Sequence, residues 1–242
     1  REKPLAEFDP GPSSGENGAM VDGRKPRPAF APWDRRALPG LFDVEESARR
    51  VGAYAWLEMR LFEALGGWIA TVPELDVKLV LGRHCFHHAW HAEQLQQRLP
   101  ELREMNPARL TLPANDGIVA FAEALIEPEA AEQTIEKLVG VFRVLLPRTI
   151  AAYTYHLNGT STITDAPTIR TLNFLLQDEF EDWREGEMLL QSLITTPEQI
   201  ERASNRAKSL ESLIVAAGGI AGDGTLGQGI DQSAITSEAV SE

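Results

Sequence analysis

The sequence has little cysteine: Cys85 is the single one among 242 residues. One cysteine cannot form an internal disulfide, and it cannot supply a cysteine-based zinc cluster. We therefore expect a fold that is held together without disulfides. Such a protein suits the reducing cytoplasm, which is its predicted location.

Positive charge is also scarce. The chain has 23 Lys and Arg against 36 Asp and Glu, a formal net charge of −13. This excess of negative charge repels phosphate backbones and anionic lipids, so neither nucleic acid nor a membrane surface is a predicted partner. The sequence lacks the run of about 18 apolar residues that a membrane helix needs, and its N-terminus lacks the pattern of a signal peptide. We expect the partners to be a small-molecule substrate and further copies of the chain.

The composition divides the chain into three parts. Residues 1–40 contain seven prolines and five glycines, and residues 218–242 are rich in Gly and Ser without one Lys or Arg. Both segments are predicted to be extended arms, and residues 41–217 form the predicted folded domain. Packing on a neighbouring subunit is one way to order such arms, so we expect a homo-oligomer that uses them.

Between the arms, apolar residues recur at intervals of three and four, which predicts an all-α fold. The predicted helices span residues 43–71, 74–99, 116–127, 129–156, 166–193 and 196–217. Pro147 lies inside the fourth of these and predicts a kink. Four long helices with short links predict an antiparallel four-helix bundle, with a fifth long helix at its C-terminal end.

The first long helix carries a carboxylate on its apolar seam. Glu58 occupies the position between Ala55 and Phe62 on this seam, whose apolar members are Val51, Ala55, Phe62, Leu65 and Ile69. Burial of an unpaired carboxylate costs many kcal/mol, so a buried Glu58 must be neutral, paired or bound to a metal. A slightly rotated seam would instead leave Glu58 on the surface.

Four of the five histidines cluster on the second long helix. Its inward stripe is predicted to contain Val77, Leu81, His84, His88, His91 and Leu95. Three imidazoles then face the core, while His87 points to the side. A lone buried histidine is usually just hydrogen-bonded. Three in register favour a transition-metal site, for which neutral imidazole is a common ligand.

The helix at 166–193 offers two alternative inward stripes. One contains Leu175, Asp178, Asp182, Glu185 and Leu189; the other contains Leu172, Leu176, Trp183, Leu190 and Leu193 and turns Asp182 partly outward. The first is favoured by a local correspondence between two helices. His88 and His91 are three residues apart and are followed by a small residue and a Glu, and so are Asp182 and Glu185.

These residues resemble the ferritin-like superfamily, whose di-iron bundles take a Glu from each of two helices and a Glu-x-x-His pair from each of the other two. The resemblance covers residues 43–194 and implies a ferritin-like antiparallel bundle. It places Glu58 as the first single Glu, His88 and His91 as the first pair, and Asp182 and Glu185 as the second pair.

The sequence also departs from that family pattern. Only Glu58 and His91 keep the family's residue type. The inward stripe of the helix at 129–156 has no carboxylate; its members are Ile135, Val139, Phe142, Leu146, Tyr153 and Leu157. A standard carboxylate-bridged di-iron centre is therefore incomplete.

Three functions remain open at this point. In the first, Glu58, His88, His91 and one or both of Asp182 and Glu185 hold iron or another divalent transition metal, and the protein is an oxidase or hydroxylase of a small organic molecule. In the second, the same cluster performs acid–base catalysis without a metal. In the third, the cluster is a structural ionic network in an assembly protein.

Two further side chains are candidates for a direct part in catalysis. His84 would act as an extra ligand or as an acid–base group, and Tyr153 would donate a proton or an electron to a nearby metal centre.

Overall fold

The computed structural model describes residues 42–101 and 105–224, and all regular structure within these two ranges is helical. The α-helices are α1 (Val44–Thr71), α2 (Leu75–Glu101), α3 (Pro107–Leu110), α4 (Asp116–Ile126), α5 (Thr134–Leu138), α6 (Leu146–Asn158), α7 (Ala166–Leu193) and α8 (Pro197–Ala216). A 3₁₀ turn (Ala131–Gln133) precedes α5, and a π-helical segment (Val139–Leu145) joins α5 to α6. The all-α class is confirmed. The predicted N-terminal arm, and residues 225–242 of the predicted C-terminal arm, lie outside the described residues.

Side-chain caps explain why several helices begin where they do. The backbone N–H of Glu46 donates to the Asp43 carboxylate at 2.7 Å, and Thr196 forms a capping box with Gln199 ahead of α8. Both satisfy N–H groups that lack a partner inside the helix. The cap of α4 is Asn115, whose side chain accepts the Ile118 N–H at 3.0 Å.

Four long segments surround a common core. α1 and α2 form a hairpin, α2 packs against α7, and α7 packs against α6. α1 also contacts α6, where the Tyr54 hydroxyl donates to the Ala152 carbonyl at 3.3 Å. Each of the four segments thus contributes side chains to the same interior, an arrangement compatible with the predicted ferritin-like bundle.

The inward face of α1 differs from the predicted seam at its C-terminal end. Phe62 is 42% exposed and Ile69 is half-buried, whereas Leu61 and Trp68 are buried. The physical reason is that a straight α-helix has 3.6 residues per turn, so a seam predicted at heptad spacing drifts off the buried face. Glu58 lies at the centre of this face and is 3% exposed.

The segment before Pro147, Val139–Leu145, is π-helical. The N–H of Leu146 bonds to the carbonyl of Val141, five residues back, and Pro147 itself has no N–H to donate. Single π-helical stretches inside longer helices are uncommon and are often found at functional sites. α6, which carries Tyr153 toward α1, follows directly.

Residues 218–224, the first part of the predicted C-terminal arm, pack on the helices. Ile220 and Ala221 are buried, and Asp223 forms an ion pair with Arg50 of α1. Gly222 has a φ of 68°, in the left-handed region that favours glycine, and a Cβ there would lie 2.6 Å from the Asn115 side chain. Among the helices of the described ranges, none combines the length and the apolar character that spanning a membrane requires.

Candidate metal centre

Four ionisable side chains from three helices meet in the core. Glu58 lies on α1, His88 and His91 lie on α2, and Glu179 lies on α7; each is at most 3% exposed. One ligand atom from each side chain lies within 4.8 Å of the ligand atoms of the other three. We call these four residues the Glu–His cluster.

The separations within the Glu–His cluster suit a small metal ion. His88 Nδ1 is 2.7 Å from Glu58 Oε2 and 3.8 Å from Glu179 Oε1. His91 Nδ1 is 3.7 Å from Glu58 Oε2 and 3.4 Å from Glu179 Oε1. Ligand atoms placed tetrahedrally about 2.1 Å from a metal are about 3.4 Å from one another. These residues therefore fit a divalent transition metal with small side-chain adjustments.

Several polar atoms of the cluster have no hydrogen-bond partner within the described part of the chain. They are His88 Nε2, His91 Nδ1 and both carboxylate oxygens of Glu179. Buried polar groups are nearly always hydrogen-bonded, because an unsatisfied one keeps the full cost of losing its water. A bound cation would satisfy the Glu179 oxygens and His91 Nδ1, which already lies between two carboxylates.

Two neighbouring side chains hold the cluster in position. The Tyr153 hydroxyl donates to Glu58 Oε1 at 2.5 Å, and His91 Nε2 is 3.2 Å from Asp178 Oδ2. The second contact leaves His91 Nδ1 directed at the cluster. Metal-binding histidines commonly make this kind of hydrogen bond to a carboxylate through their other ring nitrogen.

The charges within the cluster are strongly coupled. Burial alone would raise the pKa of Glu58, but the charges and hydrogen bonds of His88 and His91 outweigh it and hold that pKa well below its usual range. Burial and the negative charge of Glu58 raise the pKa of Glu179 to about 7. For His88 and His91, burial favours the neutral ring, yet the surrounding carboxylates raise the pKa of both rings above the usual value. The two carboxylates thus favour positive charge at this position, which a metal cation would also supply.

Tyr153 is fully buried beside these charges. Burial and the negative charge of Glu58 raise the pKa of its hydroxyl well above the ordinary value. The hydroxyl therefore stays protonated and continues to donate its hydrogen bond to Glu58 at neutral pH.

The structure brings Glu58, His88 and His91 together as the sequence predicts, but Asp182 and Glu185 lie outside the Glu–His cluster. Asp182 and Glu185 instead contact the two α2 histidines outside the cluster, His84 and His87. His84 Nε2 is 3.2 Å from Asp182 Oδ1 and 3.0 Å from Glu185 Oε2, and His87 Nδ1 is 2.9 Å from Asp182 Oδ2.

His84 is fully buried one turn from His88, while the Glu185 side chain is 38% exposed. Burial lowers the pKa of His84 despite the nearby carboxylates. As predicted, His87 lies to the side of the inward stripe, with 29% of its side chain exposed.

Glu179 is not among the site residues predicted above, although the sequence carries a signal for it. The second alternative seam of α7 contains Leu172, Leu176, Trp183 and Leu190, and at alternating spacings of four and three its open positions are 179 and 186. Both positions are buried, as Glu179 and Gly186. Glu179 thus occupies on α7 the kind of seam position that Glu58 occupies on α1.

Comparisons of the chain with protein-family models, with curated proteins and with solved structures find no match. The assignment of a function therefore depends on the geometry and chemistry of the Glu–His cluster.

Proposed function

We propose that this protein is a ferritin-like metalloprotein that binds a divalent transition metal, iron first among them, through Glu58, His88, His91 and Glu179. We further propose that the metal serves in the oxidation or hydroxylation of a small organic molecule. The observation that carries the proposal is the buried Glu179 carboxylate, whose two oxygens have no hydrogen-bond partner among the described residues.

The donor set supports iron over softer metals. Two imidazoles and two carboxylates combine nitrogen and hard oxygen ligands, a mixture that suits iron and manganese, whereas copper(I) and iron–sulfur clusters favour sulfur ligands. Two histidines with carboxylates and open positions are the donor set of non-haem Fe(II) oxygenases, so a metal held by these residues would supply redox chemistry toward dioxygen. In an oxidase reaction the two electrons that reduce dioxygen to hydrogen peroxide would come from the organic substrate, and a hydroxylation would take two more from an external reductant.

The side chains around the cluster have distinct roles in this proposal. Tyr153 keeps Glu58 oriented through its hydrogen bond, and its buried hydroxyl is the nearest phenol to the site. Asp178 orients His91. His84 remains the acid–base candidate, because its ring bonds to Glu185, which is partly exposed to solvent.

Elemental analysis of the untagged, full-length protein tests the proposal. We expect about one transition metal per chain after purification, or after anaerobic loading with Fe(II), and we expect oxygen uptake by the loaded protein. Glu179→Gln should lose the metal, because an amide is a weak ligand without charge. His87→Gln, on the same helix and outside the cluster, is the matched control and should keep it.

Protein that stays metal-free after loading with Fe(II), Mn(II) or Zn(II), while keeping its helical circular dichroism, would overturn the proposal. That result would favour the metal-free alternatives. A structural network then predicts no activity that depends on His88, whereas acid–base catalysis predicts activity that His88→Ala abolishes.

A further inference from the structure

The outer face of α2, opposite the histidine stripe, carries an exposed apolar stripe. Leu75, Leu79 and Phe86 are 68%, 56% and 69% exposed. With Gly82 they follow the spacing i, i+4, i+7 and i+11, which places all four on one side of the helix. Contiguous apolar surface of this kind marks interaction sites in proteins.

The apolar stripe is interrupted at Gly82, which has no side chain. Gly82 stands between Leu79 and Phe86, and a Cβ added there would meet nothing within 4 Å among the described residues. The gap forms part of a shallow groove of about 430 Å³, lined by Lys78, Leu79, Gly82, Arg83, Phe86 and His87. The ring of Phe86 thus lies about one helical turn from a position that carries no side chain.

The charges on this face of α2 are complementary between two α2 helices that pack antiparallel. Lys78 precedes Phe86 by two turns, and the exposed Glu93 follows it by two turns. In the antiparallel register that seats Phe86 of each helix against Gly82 of the other, Lys78 lies within three residues, about 4.5 Å along the axis, of the point opposite Glu93 of the second helix, and the two long side chains span that offset. In a two-fold dimer both contacts form at once, because such an interface pairs each surface patch with its own copy.

The neighbouring helix extends the apolar face. Met59 and Phe62 of α1 are 38% and 42% exposed, and the Sγ of Cys85 on α2 is 3.6 Å from the Phe62 carbonyl oxygen. α2 has 27 residues and is therefore about 40 Å long. Two such hairpins have room for the roughly 800 Å² per partner that a stable dimer buries.

We propose that this face of α2 is a two-fold homodimer interface, in which Phe86 of each copy seats in the notch at Gly82 of the other. The interface lies on the side of α2 away from His88 and His91. Dimerisation is thus independent of the metal proposal, and each can fail without the other.

Sedimentation velocity of the full-length protein over a range of concentrations tests this interface. The wild type should sediment as twice the 26.7 kDa chain. Phe86→Asp should weaken dimerisation by at least about 30-fold, the effect of losing a central buried anchor. Met188→Asp, at a 67% exposed position on α7, is the matched control and should leave the dimer intact.

A charge exchange identifies the partner as a second copy. Lys78→Glu alone and Glu93→Lys alone should each weaken the dimer, because each places like charges opposite one another. The double variant should restore it, a rescue that neither an unrelated partner nor a loss of folding would produce. Circular dichroism and metal content should be unchanged in every variant.

Two outcomes would overturn the inference. One is a wild type that remains monomeric at the highest concentrations reached. The other is a dimer that Phe86→Asp leaves as stable as before, which would place the interface elsewhere.

Discussion

Among single residues, Glu179 has the most unusual environment. It is fully buried, lies beside the ionised Glu58 and has no hydrogen-bond partner in the described part of the chain. Burial of such a group is strongly unfavourable, because it keeps the cost of losing its water without gaining a hydrogen bond in return. A protein that keeps a carboxylate here gains something other than stability from it.

Glu179→Met should therefore have opposite effects in the presence and absence of metal. In excess chelator we expect the variant to be at least as stable as the wild type, because it removes a buried carboxylate that has no hydrogen-bond partner in the described part of the chain, a group that costs about 1–3 kcal/mol in the free energy of unfolding. With Fe(II) or Zn(II) added, the wild type should gain stability and the variant should not. Urea unfolding under the two conditions measures both effects. Equal destabilisation under both would mean that Glu179 is a structural residue.

His156 on α6 is a further buried histidine, and it lies outside the Glu–His cluster. Its Nε2 is 3.1 Å from the Ser47 hydroxyl, which in turn donates to Asp165 at 3.4 Å. The three residue types are those of a catalytic triad, but Asp165 contacts the serine and does not orient the imidazole, as a triad requires. Burial and the charge of Arg50 lower the pKa of His156 to about 4, which makes it a weak base. This group is therefore structural.

His156 should make the folded protein sensitive to mild acid. Its pKa in the folded state lies below the ordinary value of about 6.5, so the unfolded chain takes up the proton first as the pH falls. The free energy of unfolding is therefore unaffected by His156 above pH 6.5, and it falls toward pH 4 by up to about 1.4 kcal/mol per pH unit.

The measurement is urea unfolding of the wild type and of His156→Gln between pH 7 and pH 4. The variant cannot titrate at this position, so the wild type should lose more stability over that range. Parallel pH profiles for the two proteins would contradict the expectation.

At the level of helices, the rotation of α7 depends on its contact with the π-helical segment. A Cβ on Gly186 would lie 2.1 Å from the ring of Phe142, far inside van der Waals contact. Phe142 also packs edge-on against His84, with the ring centroids 5.5 Å apart. Gly186 thus allows α7 to approach closely in the register that turns Glu179 inward.

Gly186→Ala should destabilise the protein although alanine is the better helix former. We expect a loss of about 1–3 kcal/mol, because the added methyl group forces Phe142 out of its position. Gly67→Ala on α1 is the matched control: a Cβ there meets nothing within 4 Å among the described residues. The control should be neutral or gain up to about 1 kcal/mol. Thermal unfolding compares the pair, and a stabilised Gly186→Ala would mean that α7 shifts freely.

At the scale of the whole molecule, the described ranges, residues 42–101 and 105–224, include a buried hydrophobic core and all four residues of the Glu–His cluster. The proposed dimer face on α2 belongs to the same part of the chain. The role in assembly that the sequence predicts for the arms remains a prediction.

Deletion of residues 1–41 and 225–242 tests whether the predicted arms contribute to assembly. We expect the truncated chain to retain helical circular dichroism, the metal content of the full chain and the dimer, because every contact proposed here lies within it. Sedimentation and elemental analysis of the two chains provide the comparison. A truncated chain that binds metal but sediments as a monomer would assign assembly to the removed segments.

The helices and much of the candidate site follow from local features of the sequence. Caps, prolines and a recurrence of apolar residues at three and four specify helices locally, without knowledge of what they contact. The same periodicity placed His84, His88 and His91 on one buried stripe of α2, and all three are fully buried. Glu58 was identified because a carboxylate on an apolar seam is conspicuous within its own helix.

Which acidic residue of α7 joins the candidate site depends on contacts between helices. Asp178, Glu179, Asp182 and Glu185 all lie on two adjacent turns, and a rotation of α7 by a fraction of a turn exchanges one for another. That rotation is set by contacts between distant segments, above all Gly186 against Phe142 in the π-helical stretch. Helical periodicity describes a helix in isolation, whereas its rotation in the core depends on the shapes of its neighbours.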